Sequence, residues 1–311
     1  MATYLVTGGA GFIGCNLVRA LLARGEQVRV LDNFSTGRAA NLEGLLGSIT
    51  LVRGDVTDAA LVEQAMTGVD YVLHQAAIPS VPRSIEAPLE SNRANVLGTL
   101  TVLDVARRVG VRRVVYAASS SAYGETPTLP KVETMRPDPL SPYAASKLAG
   151  EHYLSVFTTC YGLETVSLRY FNVFGPRQDP ESQYAAVIPR FVTSALTGQR
   201  PVIFGDGLQS RDFCYIDNAV EANLVACTAK EASGKVFNVA CGVRTTLLDV
   251  IETLSAILGK PIQPLHEPAR PGDIRHSLAD ITAARTVLGY TGRVSLREGL
   301  EKTLEWYRCA A

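Results

Sequence analysis

The densest chemistry in the sequence is a tyrosine and a lysine spaced i, i+4: Tyr143-Ala144-Ala145-Ser146-Lys147, directly after Ser141-Pro142. Serine followed by proline is a helix-start signature, so both side chains fall on one helical face as neighbours. A free tyrosine, with a pKa of about 10, is a poor base at neutral pH; an ammonium within a few ångströms favours the phenolate and brings it toward the working range. Such a pair also arises by chance in helices, with the tyrosine packed and the lysine solvated. Upstream, Ala117-Ala118-Ser119-Ser120-Ser121 leaves a strand whose carboxyl end should face the same crevice. Ser119 is the candidate for the catalytic hydrogen bond and Ser121 for a substrate contact; the plainer use of these serines is turn chemistry.

A second group of residues suits a dinucleotide. Thr3-Tyr4-Leu5-Val6 is an apolar run ending in Gly8-Gly9-Ala10-Gly11-Phe12-Ile13-Gly14, where a strand passes into a helix. A pyrophosphate can rest there on backbone N–H groups and the helix dipole, and glycine permits positive φ and close approach. The spacing is GxxGxxG, not the usual GxGxxG, and by itself is also that of a tight turn. Asp32 closes the second strand eighteen positions after Gly14, where a carboxylate binds both ribose hydroxyls of adenosine and repels a 2′-phosphate, favouring NAD over NADP. Its plainer role is an Asp-Asn turn, with Asn33 and Ser35 serving the chain. Asp55-Val56, after the third strand, can bracket the adenine; Asp55 can also be a helix N-cap, with Asp58 competing.

The elements that must position these residues follow from periodicity. Gln27 to Leu31, Ile49 to Arg53, Tyr71 to Leu73, Val114 to Ala118 and Thr165 to Arg169 read as strands, alternating with helices such as Asn16–Arg24, Leu61–Met66, Asn95–Arg108 and Pro142–Tyr161. This alternation predicts a doubly wound parallel α/β sheet, the Rossmann arrangement, over residues 1–171. Residues 172–311, punctuated by Pro and Gly, read as a smaller α/β substrate lobe with helices near Val187–Thr197, Asp217–Thr228, Leu247–Leu258 and Leu296–Tyr307. Val236 to Val239 is strand-like and should return to the main sheet.

Composition removes several classes. The 311 residues are 47% hydrophobic, with 30 basic and 30 acidic side chains, so no global field favours nucleic acid or an acidic membrane. No apolar run reaches the ~20 residues of a membrane span. The six cysteines form no CxxC pair or His/Cys ligand spacing, which suits reduced thiols in a cytoplasmic enzyme without a metal.

With glycine turn, Asp32, serine cluster and YxxxK in this order, the chain resembles the extended short-chain dehydrogenase/reductase superfamily over essentially its full length. Within it, the chain is similar to UDP-sugar 4-epimerases, most nearly the branch acting on UDP-N-acetylhexosamines. The segments that carry this are Ser80-Val81-Pro82-Arg83-Ser84, Arg169-Tyr170-Phe171-Asn172-Val173-Phe174-Gly175, Tyr184-Ala185-Ala186-Val187-Ile188-Pro189 and Ser210-Arg211-Asp212-Phe213-Cys214-Tyr215-Ile216. The resemblance implies that Gly8, Gly11, Phe12, Ile13 and Gly14 face the pyrophosphate of NAD. Asp32, Asn33, Ser35, Thr36 and Gly37 meet the adenosine ribose end, and Asp55 and Val56 the adenine. Leu73, Gln75, Ala76, Asn95 and Tyr170 line the rest of the channel, where Tyr143 and Lys147 also meet the cofactor. Asn172, Ala186, Val187, Val202, Phe204, Arg211, Arg270 and Asp273 hold the UDP group, with the arginines on the diphosphate and Asp273 on the uridine ribose. The other use of Arg211 and Arg270 is a surface or interlobe ion pair.

The chemistry so implied is removal of the sugar 4-hydroxyl proton by Tyr143 as hydride passes from C4 to NAD, rotation of the 4-keto sugar, and hydride return to its other face. Relatives restricted to UDP-glucose and UDP-galactose can carry a tyrosine where this chain has Ser277, so Ser277 implies room for an N-acetyl group. Dehydratases of the superfamily need an Asp-Glu pair where this chain reads Ser-Ser-Ser-Ala, which disfavours dehydration. A UDP-glucuronate 4-epimerase, with Arg177 and the serines meeting the 6-carboxylate, and a non-catalytic NAD-binding scaffold are the rival readings. Amphipathic helices near Asn95–Arg108 and Pro142–Tyr161 suit a four-helix homodimer contact.

Overall fold

The computed structural model describes residues 1–180, 187–269 and 274–310. Its centre is a seven-stranded sheet of β1 (Thr3–Thr7), β2 (Gln27–Asp32), β3 (Thr50–Arg53), β4 (Tyr71–His74), β5 (Arg113–Ser119), β6 (Glu164–Tyr170) and β7 (Lys235–Val239), in the spatial order β7-β6-β5-β4-β1-β2-β3. Each adjacent pair is parallel. The strands are apolar on both faces because helices cover both. Val6, Val30, Leu73 and Val115 point into one hydrophobic cluster. Their strand neighbours Leu5, Leu31, Val72 and Val114 point into the other, as the period of two requires.

The helices of this part are α1 (Phe12–Ala23), α2 (Ala59–Met66), α3 (Val81–Glu86), α4 (Pro88–Asn92), α5 (Gly98–Val109) and α6 (Pro142–Tyr161). α1 begins four residues earlier than its periodicity suggests, since Gly11 already serves as its N-cap. Ser141 caps α6, its hydroxyl accepting from Ala144 N–H at 3.1 Å, and Gly162 ends the helix at φ 71°. The pattern left α3 and α4 unread, because neither is long enough to show a helical period. A π-helical turn, Arg93–Leu97, leads into α5 and turns Asn95 inward.

After β6 the chain builds α7 (Val187–Thr197), α8 (Ile216–Thr228), α9 (Leu247–Leu258) and α10 (Leu296–Ala310), close to the sequence expectation, with short strand pairs such as Val173–Phe174 on Cys214–Tyr215 and Ser210–Arg211 on Thr245–Thr246 between them. β7 pairs with β6 from Lys235↔Val166 to Val239↔Tyr170, so the chain returns to the main sheet. Strand order reverses between β4 and β1, and ligands of such sheets bind in the crevice at the carboxyl ends there. The glycine turn, Gln75, Ser119 and Tyr170 all leave strands at that edge.

Candidate active site

The glycine turn is shaped by close approach. Gly8 has φ +68°, and a Cβ on it would lie 2.7 Å from the backbone nitrogen of Ala76; a Cβ on Gly14 would lie 2.1 Å from the carbonyl oxygen of Gly8. Gly11 N–H donates to that same oxygen at 3.0 Å. Because Gly11 has no side chain to cap α1, the first N–H groups of the helix, at Phe12, Ile13 and Gly14, are an anion cradle that the residues present fit.

Asp32 is buried at the end of β2, its carboxylate accepting from Ala10 N–H at 2.8 Å and Phe34 N–H at 2.7 Å. Burial raises its pKa, and these two amides oppose the rise. One backbone bond on each oxygen leaves lone pairs for ribose hydroxyls. Gly37 closes over it, where a Cβ would meet Asp32 Oδ1 at 2.9 Å. Asn33, Ser35 and Thr36 form the exposed rim. Asn33 has chain duties as well, since its amide donates to Asp55 at 2.9 Å and its oxygen accepts from Ser35 N–H at 3.0 Å. Of the two candidates for the cap of α2, Asp58 takes the role, bonding Ala60 and Leu61 N–H. Asp55 instead accepts from Thr57 N–H and hydroxyl, next to a mostly buried Val56.

Tyr143 and Lys147 lie on α6 as the spacing requires. The backbone of Tyr143 is pinned at both ends, its N–H donating to Ser84 Oγ at 3.0 Å and its carbonyl accepting from Ser146 Oγ at 2.8 Å. Ser121 Oγ donates to Ser119 Oγ at 2.8 Å, and the Ser119 hydroxyl acts on the Tyr143 phenol by holding its pKa down. The three hydroxyls therefore sit together, and Ser121, expected only as a substrate contact, also serves Ser119.

The electrostatics differ from the sequence expectation. Burial holds the Tyr143 phenol above its ordinary value, and the Ser119 bond only partly opposes this. The expected lowering by Lys147 is not found. Lys147 Nζ is turned to the Ala117 carbonyl at 2.9 Å and lies 4.9 Å from the centre of the Tyr116 ring. Burial brings its own pKa down to about 7, against a smaller upward pull from Glu151, so the lysine is only part-charged near neutrality. The i, i+4 spacing carries the charge pair but not the desolvation that folding imposes on it.

The inner channel residues divide. Gln75 and Tyr170 meet as expected, with Gln75 Nε2 donating to the Tyr170 hydroxyl at 3.2 Å and to Asn223 Oδ1 at 3.1 Å. Asn223, on α8, was missed, although an asparagine inside an apolar helix was a visible signal. Ala76 carries the close contact to Gly8. Asn95 is a clamp, its side chain accepting from Ile78 N–H at 2.8 Å and donating to Ser146 Oγ at 3.0 Å. Leu73 must be corrected: it is 0% exposed in the core beneath the crevice, so no atom of it is open to a cofactor.

A second recess, of about 240 Å³, gathers Asn172, Val187, Val202, Phe204 and Arg211 from the expected set. It adds Arg190, Phe191, Gln209, Phe213 and Leu247, which the sequence reading missed because their elements meet only on folding. Asn172, at φ 36°, donates from its amide to the Asp212 carbonyl at 3.2 Å. Arg211 Nη1 donates to the Ser210 carbonyl at 2.9 Å. Ser277 N–H bonds the Ser210 carbonyl at 3.0 Å, which puts it beside the strand that carries Arg211. Arg177, named for a 6-carboxylate, stacks over Trp306 at 5.8 Å, with Cys15, Arg19 and Tyr215 as its electrostatic neighbours. Ala186, Arg270 and Asp273, with Tyr184 and Ala185, lie outside the described residues.

Residues 4–240 match the NAD dependent epimerase/dehydratase family. The chain belongs to that family. It is therefore an NAD-dependent enzyme, in keeping with the anion cradle and Asp32. Among relatives of this epimerase/dehydratase, a UDP-glucose 4-epimerase of Mycolicibacterium smegmatis is 41% identical over 308 residues, 98% of each chain. A UDP-N-acetylglucosamine 4-epimerase from Methanobrevibacter ruminantium, solved with UDP-N-acetylmuramic acid, has a TM-score of 0.93 at 39% identity, covering 100% of this chain and 99% of that one. A UDP-glucuronic acid 4-epimerase from Bacillus cereus, solved with UDP-glucuronic acid and NAD, has a TM-score of 0.91 at 32% identity, covering 99% and 100%.

Proposed function

We propose that this enzyme is a 4-epimerase of UDP-hexoses, interconverting UDP-GlcNAc with UDP-GalNAc and UDP-glucose with UDP-galactose through a 4-keto intermediate. The observation that carries it is the bonded serine pair Ser121–Ser119 acting on the Tyr143 phenol, in a segment, Ser119 to Ala122, that holds no carboxylate. Those groups move one proton to and from a hydroxyl; they supply no acid and base pair to expel water from the sugar.

Residue roles follow from the geometry. Bound NAD supplies the acceptor, and then the donor, of the C4 hydride. Tyr143 takes the 4-hydroxyl proton and gives it back, so the enzyme ends the cycle as it began. Ser119 accepts its hydrogen bond from Ser121, which leaves its own proton to meet the developing phenolate and lower the cost of forming it. Lys147, part-charged and dry, interacts strongly with any nearby charge, because little water screens it. Gly8, Gly11 and Gly14 with the start of α1 would hold the pyrophosphate, and Asp32 the adenosine ribose.

The recess between Phe204, Phe213, Arg190 and Arg211 suits a nucleoside diphosphate, with aromatic walls for a base and guanidinium groups for phosphate. Ser277 beside it supports an N-acetylated sugar. Arg177, which with the serines was the expected contact for a 6-carboxylate, stacks over Trp306, and this gives the glucuronate reading no added support. We assign residues 1–171 with β7 to NAD and the remainder to the UDP-sugar. We also place the enzyme in the cytoplasm as a homodimer; among the described residues no helix is long and apolar enough to cross a membrane.

The test is to incubate the purified enzyme separately with UDP-GlcNAc, UDP-glucose and UDP-glucuronate and resolve the 4-epimers by NMR. Epimers of the first two are expected; turnover of UDP-glucuronate only would replace this substrate assignment.

A further inference from the structure

Behind the glycine turn lies a buried imidazole that the steps above do not use. His74 closes β4 with its Nδ1 2.7 Å from Thr7 Oγ1 and its Nε2 3.0 Å from Thr99 Oγ1. Its neighbours fix the protons. The Thr99 hydroxyl donates to the Asn95 carbonyl at 2.6 Å, so its one proton is committed and it must accept from Nε2–H. Nδ1 is then an acceptor, and the Thr7 hydroxyl donates to it. The Thr7 oxygen is left to accept from Ala76 N–H, which lies 3.3 Å away. A second proton on the ring would face the Thr7 oxygen and leave the Thr7 proton without an acceptor. The titratable groups facing the ring are Tyr116 of β5, stacked at 5.7 Å, and Lys147 of α6. Burial first, and the Lys147 ammonium second, push the imidazolium pKa down to about 3.

Both ends of this chain reach the site. Ala76 N is the atom that a Cβ on Gly8 would meet at 2.7 Å. At the other end, Asn95 Nδ2 donates to Ser146 Oγ at 3.0 Å, and Ser146 Oγ donates to the Tyr143 carbonyl at 2.8 Å. Hydrogen bonds that start at Thr7, the residue before Gly8, therefore run through His74 and Thr99 to Asn95, and from the Asn95 side chain through Ser146 to the backbone of the residue proposed as the base.

We propose that His74 is a positioning residue: as a neutral imidazole protonated on Nε2, it locks the glycine turn to the helix that carries Tyr143. The proposal rests on the epimerase reading for what Tyr143 does, and on bond directions alone for the tautomer. Ordering by hydrogen bonds behind a reactive group sets its orientation without touching substrate.

Nitrogen NMR of the histidine-labelled holoenzyme, with His74→Phe to assign the signal, tests the tautomer. The ring is expected to keep its proton on Nε2 and not to titrate between about pH 5 and pH 8. Titration near the ordinary value, or a proton on Nδ1, overturns the proposal. Thr7→Val and Thr99→Val each remove one link at constant shape. Each should lower kcat by about tenfold, with the KM for the UDP-sugar within about twofold, because misplacement acts on the transition state. The double variant should be little worse than either single one, since either cut breaks the same chain. The same non-additivity is expected for the Kd of NAD. Independent addition of the two effects, or a change confined to KM, overturns the proposal. The NAD titration and the NMR need no sugar, so failure of the substrate reading would show separately, as absent epimerisation with the coupling intact.

Discussion

Lys147 Nζ donates to the carbonyl of Ala117 at 2.9 Å, tying the second turn of α6 to β5 two residues before Ser119. This bond holds an ammonium in a place that water does not reach, and burial brings its pKa down to about 7. Lys147 is thus both an anchor and a cost to the fold.

That cost predicts a pH dependence of stability. In the unfolded chain a lysine keeps its proton to about pH 10, whereas in the fold Lys147 loses it near 7. Between those values the unfolded state binds more protons, so this residue makes stability rise with pH. The rise is at most about 5 kcal/mol. Urea unfolding at about pH 7 and pH 9.5 should show it in the wild type, and Lys147→Met should lack it. An equal pH slope in both proteins would exclude a desolvated Lys147.

Tyr143→Phe should abolish epimerisation while NAD still binds, as followed by calorimetry; wild-type turnover would remove Tyr143 as the base. Ser121→Ala gives the finer test. Losing the Ser121 to Ser119 bond leaves Ser119 less committed to donating toward Tyr143, so the phenol pKa rises. The pH–rate profile should then shift its acidic limb upward, with kcat at pH 7 about tenfold lower. A pure KM effect would return Ser121 to substrate binding alone.

Gly14→Ala puts a methyl 2.1 Å from the Gly8 carbonyl oxygen, whereas Gly47 faces open space. The first change should destabilise the protein by about 2 kcal/mol or more and weaken NAD binding. Gly47→Ala should leave both within about 0.5 kcal/mol. Paired thermal melts with and without NAD measure this.

Ser277→Tyr should suppress turnover of UDP-GlcNAc by more than about tenfold and spare UDP-glucose. Separate kcat/KM values for the two substrates decide it, and an equal loss on both would end the gatekeeper assignment.

Leu97 is 46% exposed and Val156 49%, on adjoining helices that also expose Leu89 and Tyr153. An apolar face of this kind suits an isologous contact. Sedimentation should find a dimer for the wild type and a monomer for Leu97→Glu/Val156→Glu; a monomeric wild type would refute the proposed assembly.

Much of this protein is written locally. The glycine turn, the cap at Ser141, the Tyr143/Lys147 spacing and the alternation of strands and helices each occupy a short stretch of chain. Backbone sterics and side-chain periodicity act over that range, so the parallel sheet and the NAD end of the site are legible in the sequence. Folding alone decided which faces are dry and which distant residues touch. Burial turned Tyr143 upward and Lys147 downward, enclosed Leu73, and set His74 between Thr7 and Thr99. Arg190, Gln209 and Phe213 joined the second recess from separate elements. Desolvation and long-range contact depend on everything packed around a group, and no window of neighbouring residues contains that information.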